Sequence, residues 1–368
     1  MLAVIVVSLL AFRGTIAAQA RAAGTLAVLL ETPGASTAVL RLTDPPRVDE
    51  IVLAGAPTTL VRPRGEGPWP AVLFVNGATP NGRREPQVRR LARALARTGH
   101  VVLVPDLTGL QAGELSAATR EATIAAATAA AERPDAQSGR VALMGVSVGA
   151  TLALLAAESR PLGESVSVVA GVAPYADLEN VIRVATTASS REGGRTVRFE
   201  PEPFLLLVVA RSLATTLPDA DRAIFDAALA GLSDSGAAAG LAGVPGAALA
   251  AMGPDGRAVA LLLLNRDPAR FDALYRALPP GVRRAVRGLS PIHDARRIAA
   301  PVELVAPPRD KYFPRAEAAA LVREAPAGRL TVTATLDHTD LRPTLGEAGS
   351  LLRLDGWVVR TLRAMRAP

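Results

Sequence analysis

Gly145-Val146-Ser147-Val148-Gly149 lies between a short strand-like run, Arg140–Met144, and a segment, Ser147–Glu158, that is apolar on nearly every face. A serine there is forced into a tight strand-to-helix turn. Side chains two positions to either side would collide with the neighbouring strand and helix, so both positions must be glycine or similarly small. Ser147 would stand at a helix N-terminus, where unpaired N–H groups favour developing negative charge. A serine hydroxyl is a poor nucleophile near neutral pH and needs a base within hydrogen-bond reach, and that base needs an acid to hold its tautomer. The chain offers three histidines. His100 opens a strand and His293 sits in Ser290-Pro-Ile-His-Asp294, so both read as structural. His338 follows the last expected strand and is the base. Asp310, in the loop past the penultimate strand, is the acid, with Asp177 and Glu179 as alternatives should Asp310 only cap the following helix. These loops lie at the carboxyl ends of parallel strands, where open α/β sheets bind ligands. An oxyanion formed on Ser147 would be met by the backbone N–H groups of Val148 and Ala78. The latter belongs to the loop Asn76-Gly77-Ala78-Thr79, whose Asn76, Gly77 and Thr79 would lie against the substrate.

The elements that must position these groups alternate along the chain. Strands are expected at Val48–Leu53, Thr58–Val61, Pro70–Val75, His100–Pro105, Arg140–Met144, Ser165–Gly171, Pro301–Ala306 and Arg329–Thr335. Helical spacing marks Pro86–Thr98, Leu115–Glu132, Ser147–Glu158, Arg315–Glu324 and Leu345–Met365. Strands alternating with helices imply βαβ units and a parallel sheet with right-handed crossovers. The alternation stops between Asp177 and Ser290. That stretch is helical (Phe204–Ala214, Ala220–Leu232, Ala258–Leu264, Pro268–Leu278), contains no convincing strand, and reads as an insertion.

Composition narrows the chemistry. The 368 residues are 49% hydrophobic and 20% charged, enough apolar material for a sizeable core. Without cysteine there is no disulfide, thiolate metal site or cysteine nucleophile. Aromatics at 3% leave few stacking platforms for nucleic acid, so the net charge of +7 is not read as a nucleic-acid surface. All but one of the 41 basic residues are arginine, and the densest run, Arg83, Arg84, Arg89, Arg90, Arg93 and Arg97, reads as the solvated face of a helix. No phosphate-binding loop, dinucleotide fingerprint or metal-ligand motif is present, so no cofactor or metal is expected. Residues 1–12 carry no charge, and Ala18-Gln-Ala20 is a small-x-small cleavage pattern. Residues 1–30 therefore read as a signal peptide or membrane anchor, which puts the body outside the cytoplasm or on a membrane. The other reading is an apolar first helix of a cytoplasmic chain.

Four further pieces join the elbow at Ser147. Leu73-Phe-Val-Asn-Gly77 is a strand ending in a tight loop, and Gly99-His-Val-Val-Leu-Val-Pro-Asp106 is a strand closed by Pro-Asp. Asp310 is followed by Pro314, and His338 comes last. With these pieces the chain resembles the α/β-hydrolase superfamily and its dienelactone-hydrolase-like and esterase-like branch, over about residues 48–177 and 290–364. Two positions depart from the family's pattern: Asn76 stands where a His is usual, and Ala306-Pro307 where His-Gly is usual. The resemblance implies an α/β fold with a mostly parallel eight-stranded sheet, the order Ser…Asp…His, and a helical lid between strands six and seven. The chain then divides into 31–177 and 291–368 as the two parts of the core and 178–290 as the lid. The expected activity is a serine hydrolase cleaving an ester or related acyl bond of a small molecule through an acyl-Ser147 intermediate. A peptidase or acyltransferase, and a non-catalytic, membrane-tethered binding module, are the alternatives.

Overall fold

A computed structural model describes residues 2–32, 34–232, 236–342 and 348–366. Eight strands form one sheet: β1 (Arg47–Leu53), β2 (Ala56–Arg62), β3 (Trp69–Val75), β4 (Val101–Pro105), β5 (Ala136–Val146), β6 (Val166–Val172), β7 (Val302–Ala306) and β8 (Gly328–Val332). Their order is β1-β2-β4-β3-β5-β6-β7-β8. β1 and β2 pair antiparallel around Ala54-Gly55, both at positive φ, and β2 runs antiparallel to β4. Every other pairing is parallel. The central strands β4, β6 and β7 are buried along their whole length, as strands covered on both faces must be.

The helices fall on two sides. On one face α4 (Ala117–Ala131), α5 (Val148–Ala157) and α14 (Arg315–Glu324) join a core built around Leu73, Leu143 and Leu304. All ten residues of α5 are buried, which explains a segment with no polar stripe. On the other face α3 (Pro86–Arg97) and α15 (Ala348–Ala364) pack on Phe74, Met144 and Val305.

Within residues 1–30, expected as a leader or anchor, lies the whole of α1 (Leu2–Leu29), which is followed by α2 (Ala35–Leu42). Ala18, Ala22 and Leu26 recur at helical i, i+4 spacing and are buried in the α3–α15 core. Gln19 Nε2 donates to Asp355 on α15. No helix among the described residues is long and apolar enough to cross a membrane.

Between β6 and β7 stand α6 (Leu178–Thr187), α7 (Phe204–Ala214), α8 (Asp219–Leu229), α9 (Ala237–Ala242), α10 (Gly246–Ala251), α11 (Pro254–Leu264), α12 (Pro268–Arg276) and α13 (Pro280–Gly288). A hairpin, Ser189–Glu192 with Arg195–Arg198, also lies there, where no strand was expected. It turns on Gly193-Gly194, both at positive φ, and all four residues of its second strand are exposed, so no apolar alternation announced it. Of the closing helix expected from Leu345, positions 345–347 lie outside the described residues.

The arginine run divides rather than forming one solvated face. Arg84, Arg89 and Arg93 are exposed. Arg83 bonds Asp106 and Glu50, Arg90 pairs with Glu31 at 2.9 Å, and Arg97 Nη1 donates to Thr43 O at 2.7 Å. The guanidinium groups of Arg90 and Arg97 thus fasten the segment from α1 to β1 onto α3.

Glu158 caps the carboxyl end of α5, half-buried, and one of its carboxylate oxygens is buried with no partner. Burial first, then Asp294, pushes its acid up to about 9 from an ordinary value of 4.5. Between those two values the folded chain keeps a proton that the unfolded chain has released, so this group's contribution to stability falls as pH rises. In thermal melts Glu158→Gln is expected to unfold at a higher temperature than the parent at pH 8, with the gap closing near pH 4.

Candidate active site

The elbow is built by crowding. A Cβ on Gly145 would lie 2.5 Å from Gly149 O, and one on Gly149 would lie 2.2 Å from Asn76 O and 2.3 Å from Val75 O. Only glycine fits where three backbones meet. Ser147 takes φ 54° and ψ −130°, a strained conformation for a residue with a side chain, and its N–H is tied to Val172 O at 2.8 Å. Bond and strain together aim the hydroxyl above the carboxyl edge of the sheet.

The structure brings Ser147, His338 and Asp310 together from across the chain. His338 Nε2 lies 2.9 Å from Ser147 Oγ, and His338 Nδ1 lies 2.9 and 3.0 Å from the two oxygens of Asp310. With its proton on Nδ1, the imidazole donates to the carboxylate and leaves Nε2 to accept from the serine hydroxyl. The Asp310 side chain is only 2% exposed, and its Oδ1 also accepts from the Tyr312 and Phe313 N–H groups at 2.7 and 3.2 Å. Those bonds fix the carboxylate before the imidazole meets it. His338 sits at φ 53° between the short paired strands Leu336–Asp337 and Asp340–Leu341. Tyr312 and Phe313 flank its ring, with centroids 4.4 and 5.7 Å away.

The alternative acids have other employment. Asp177 caps α6 by accepting from Glu179 N–H at 2.9 Å. Burial, then the neighbouring Asp177, raises the Glu179 acid above its ordinary range, and the side chain bonds Tyr275. The other two histidines are held elsewhere. Nδ1 of the fully buried His100 lies 3.0 Å from Thr98 Oγ1 and 3.2 Å from Leu95 O, and burial pulls the ring down to about 3. His293 Nδ1 lies 3.3 Å from an Arg287 nitrogen.

Val148 opens α5, where the first-turn N–H groups have no intrahelical acceptor. Across from it, the loop after β3 passes so close that a Cβ on Gly77 would touch Ser147 Cβ at 3.4 Å. Asn76, expected against the substrate, also braces this loop: its Oδ1 accepts from Gly77 N–H at 2.9 Å and its Nδ2 donates to Gly82 O at 2.8 Å. Gly77 N–H is thereby taken, and Ala78 is the next N–H along the loop. Thr79 Oγ1 donates to Glu85 at 3.3 Å. Ser147, His338 and residues 76–79 all line one cavity of about 660 Å³, which α7 also lines through Phe204, Leu205 and Val208.

A second carboxylate, Glu317 on α14, was not singled out from sequence. It is 5% exposed and accepts from the Ala176 and Asp177 N–H groups at 2.8 and 2.9 Å and from Asn180 Nδ2 at 2.6 Å. Burial pushes its acid above the ordinary range against the pull of those bonds. Its neighbours are contributed by distant segments, so no local spacing marks it.

Strand order, elbow and the Ser…Asp…His sequence of the assembled groups agree. The fold is that of the α/β-hydrolases. The family model for the X-Pro dipeptidyl-peptidases of the S15 family matches residues 56–195, less than half of this chain. No curated protein matches it. Among solved structures, the dienelactone hydrolase of Anabaena variabilis is 16% identical, with 87% of this chain and 98% of that one covered at a TM-score of 0.44. Est1E of Butyrivibrio proteoclasticus is 12% identical over 87% and 99%, with a TM-score of 0.49. The proline iminopeptidase of Mycobacterium smegmatis is 18% identical over 86% and 98%, with a TM-score of 0.43. The matching family model is one of hydrolases.

Crowding at the elbow can be tested directly. Gly149→Ala forces a methyl group into two fixed carbonyls and is expected to cost about 3 kcal/mol of stability or more. Gly77→Ala makes only an ordinary contact and is expected to cost less than about 1 kcal/mol, both read from urea unfolding.

Proposed function

We propose that the chain is a serine hydrolase that cleaves an ester or related acyl bond through an acyl-Ser147 intermediate. The observation that carries this reading is the unbroken hydrogen-bonded path from the Ser147 hydroxyl through His338 to the buried Asp310. Ser147 Oγ attacks the carbonyl carbon while its proton passes to His338 Nε2, and Asp310 stabilises the resulting imidazolium. The tetrahedral oxyanion is held by the N–H groups of Val148 and Ala78, each such donor being worth about 2.7–4 kcal/mol. Collapse breaks the bond to the leaving oxygen, which takes the proton back from Nε2. Water then repeats the sequence on the acyl-enzyme, releasing the acid and restoring Ser147.

A peptidase on the same residues is the second reading, favoured by the family match at residues 56–195. An aminopeptidase must hold its substrate's ammonium group with a free carboxylate. Besides the triad acid's neighbourhood, the carboxylates lining the cavity are Glu31, Glu85 and Asp340. Glu31 is ion-paired with Arg90, whereas Glu85 accepts only from the neutral Asn81 and Thr79 and Asp340 from the neutral Gln87, so these two keep the charge such a substrate would need.

A fluorophosphonate probe is expected to label the folded chain at one residue, and Ser147→Ala to abolish labelling. Asp310→Asn, which leaves His338 in the wrong tautomer, is expected to lower kcat for p-nitrophenyl butyrate by about 10⁴-fold. Absence of both labelling and ester turnover in well-folded protein overturns the reading in favour of a binding module. Turnover of peptide but not ester substrates would favour the peptidase.

A further inference from the structure

The cavity at Ser147 continues well past the reacting groups, and its far side is contributed by a segment that sequence assigned to export. From the site it runs along the sheet face carrying Phe74 and Met144, then between α3 and α15. There it ends against Leu26, Leu29 and Leu30 of the α1 end. These three share one helical face by their i, i+3, i+4 spacing. Leu26 is buried and Leu29 and Leu30 are half-buried, as side chains that face a cavity are.

The deep part offers nothing polar to bind. Trp357 lines it, but its indole N–H is committed to Glu303 O at 3.0 Å, so only ring carbon faces the space. Of the charged residues in the lining, Glu31 and Asp340 are exposed and Glu85 and Arg90 half-buried; Glu31 pairs with Arg90, Glu85 accepts from Asn81 at 2.9 Å, and Gln87 donates to Asp340 at 3.2 Å. Water needs two to four polar partners to stay in such a space, and the side chains of Leu26, Leu29, Leu30, Leu354 and Val358 supply none. At about 660 Å³ the cavity is mid-range for sites that enclose a whole ligand, and an acetyl group would leave most of it empty.

We infer that this space is an acyl-chain pocket walled by α1, and that the substrates are esters of medium- to long-chain carboxylic acids. The inference rests on Ser147 being the nucleophile, since that residue sets which end of the ester enters the cavity. Each methylene that moves from water into the pocket is expected to raise kcat/KM by about fourfold until the space is filled. Leu29 sets how much space there is.

The experiment compares kcat/KM for the p-nitrophenyl esters of acetate, butyrate, octanoate and dodecanoate, using the full chain. Octanoate is expected to exceed acetate by at least about a hundredfold. Leu29→Trp fills the end of the pocket and is expected to lower the octanoate-to-acetate ratio by about tenfold or more, whereas Leu29→Ala moves the optimum toward dodecanoate. The ratio is internal to each variant, so partial misfolding, which scales all esters alike, does not imitate the effect. Acetate turnover with a flat chain-length profile, or a profile that neither Leu29 variant moves, overturns the α1 pocket and leaves the Ser147 reading standing. If no ester is hydrolysed and no fluorophosphonate label appears, the Ser147 reading fails and the pocket assignment fails with it.

Discussion

Two carbonyl oxygens at the end of β3 stand 2.2 and 2.3 Å from where a side chain on Gly149 would begin, and Gly149 O stands 2.5 Å from where one on Gly145 would. Because strand, turn and helix meet at that distance, the turn has no room to relax, and Ser147 is held at a backbone angle it would otherwise leave. The same closeness lays the loop after β3 beside the serine, across from Val148 at the start of α5. A looser turn would separate Ser147 from that loop even if every side chain remained.

The triad is assembled on different terms. Ser147 is fixed by main-chain strain, Asp310 by two N–H bonds from its own loop, and His338 by its two partners and two flanking rings. Ser147 and Asp310 are therefore held independently of His338, which the two of them then orient. Preorganisation of this kind removes the cost of gathering the groups during a reaction.

How much of this could be read from sequence depended on whether the cause was local. Gly145-Val-Ser-Val-Gly149 imposes its turn within five residues, and the strands around it are continuous apolar runs, so elbow and sheet were legible. That His338 and Asp310 meet at Ser147 followed from their places after β8 and β7. The bond from Asn76 to Gly82 O was not foreseen, because it depends on how the following loop folds back, which no pattern encodes. The arginine run was misread for a related reason: Arg83 finds Glu50 and Asp106, and Arg97 finds Thr43, all tens of residues away in the sequence. The apolar start of the chain is one composition shared by a leader, an anchor and a packed helix; in the structure Ala18, Ala22 and Leu26 form the face that packs on the core.

Glu317 ties Ala176, Asp177 and Asn180 to α14, and the loop just ahead of α14 carries Asp310. The root of the inserted helices and the footing of the triad acid are thus one clamped joint. Displacing the first turn of α6 would therefore pull on the same helix that follows the Asp310 loop, so the start of the inserted segment and the carboxylate facing His338 share one mechanical anchor.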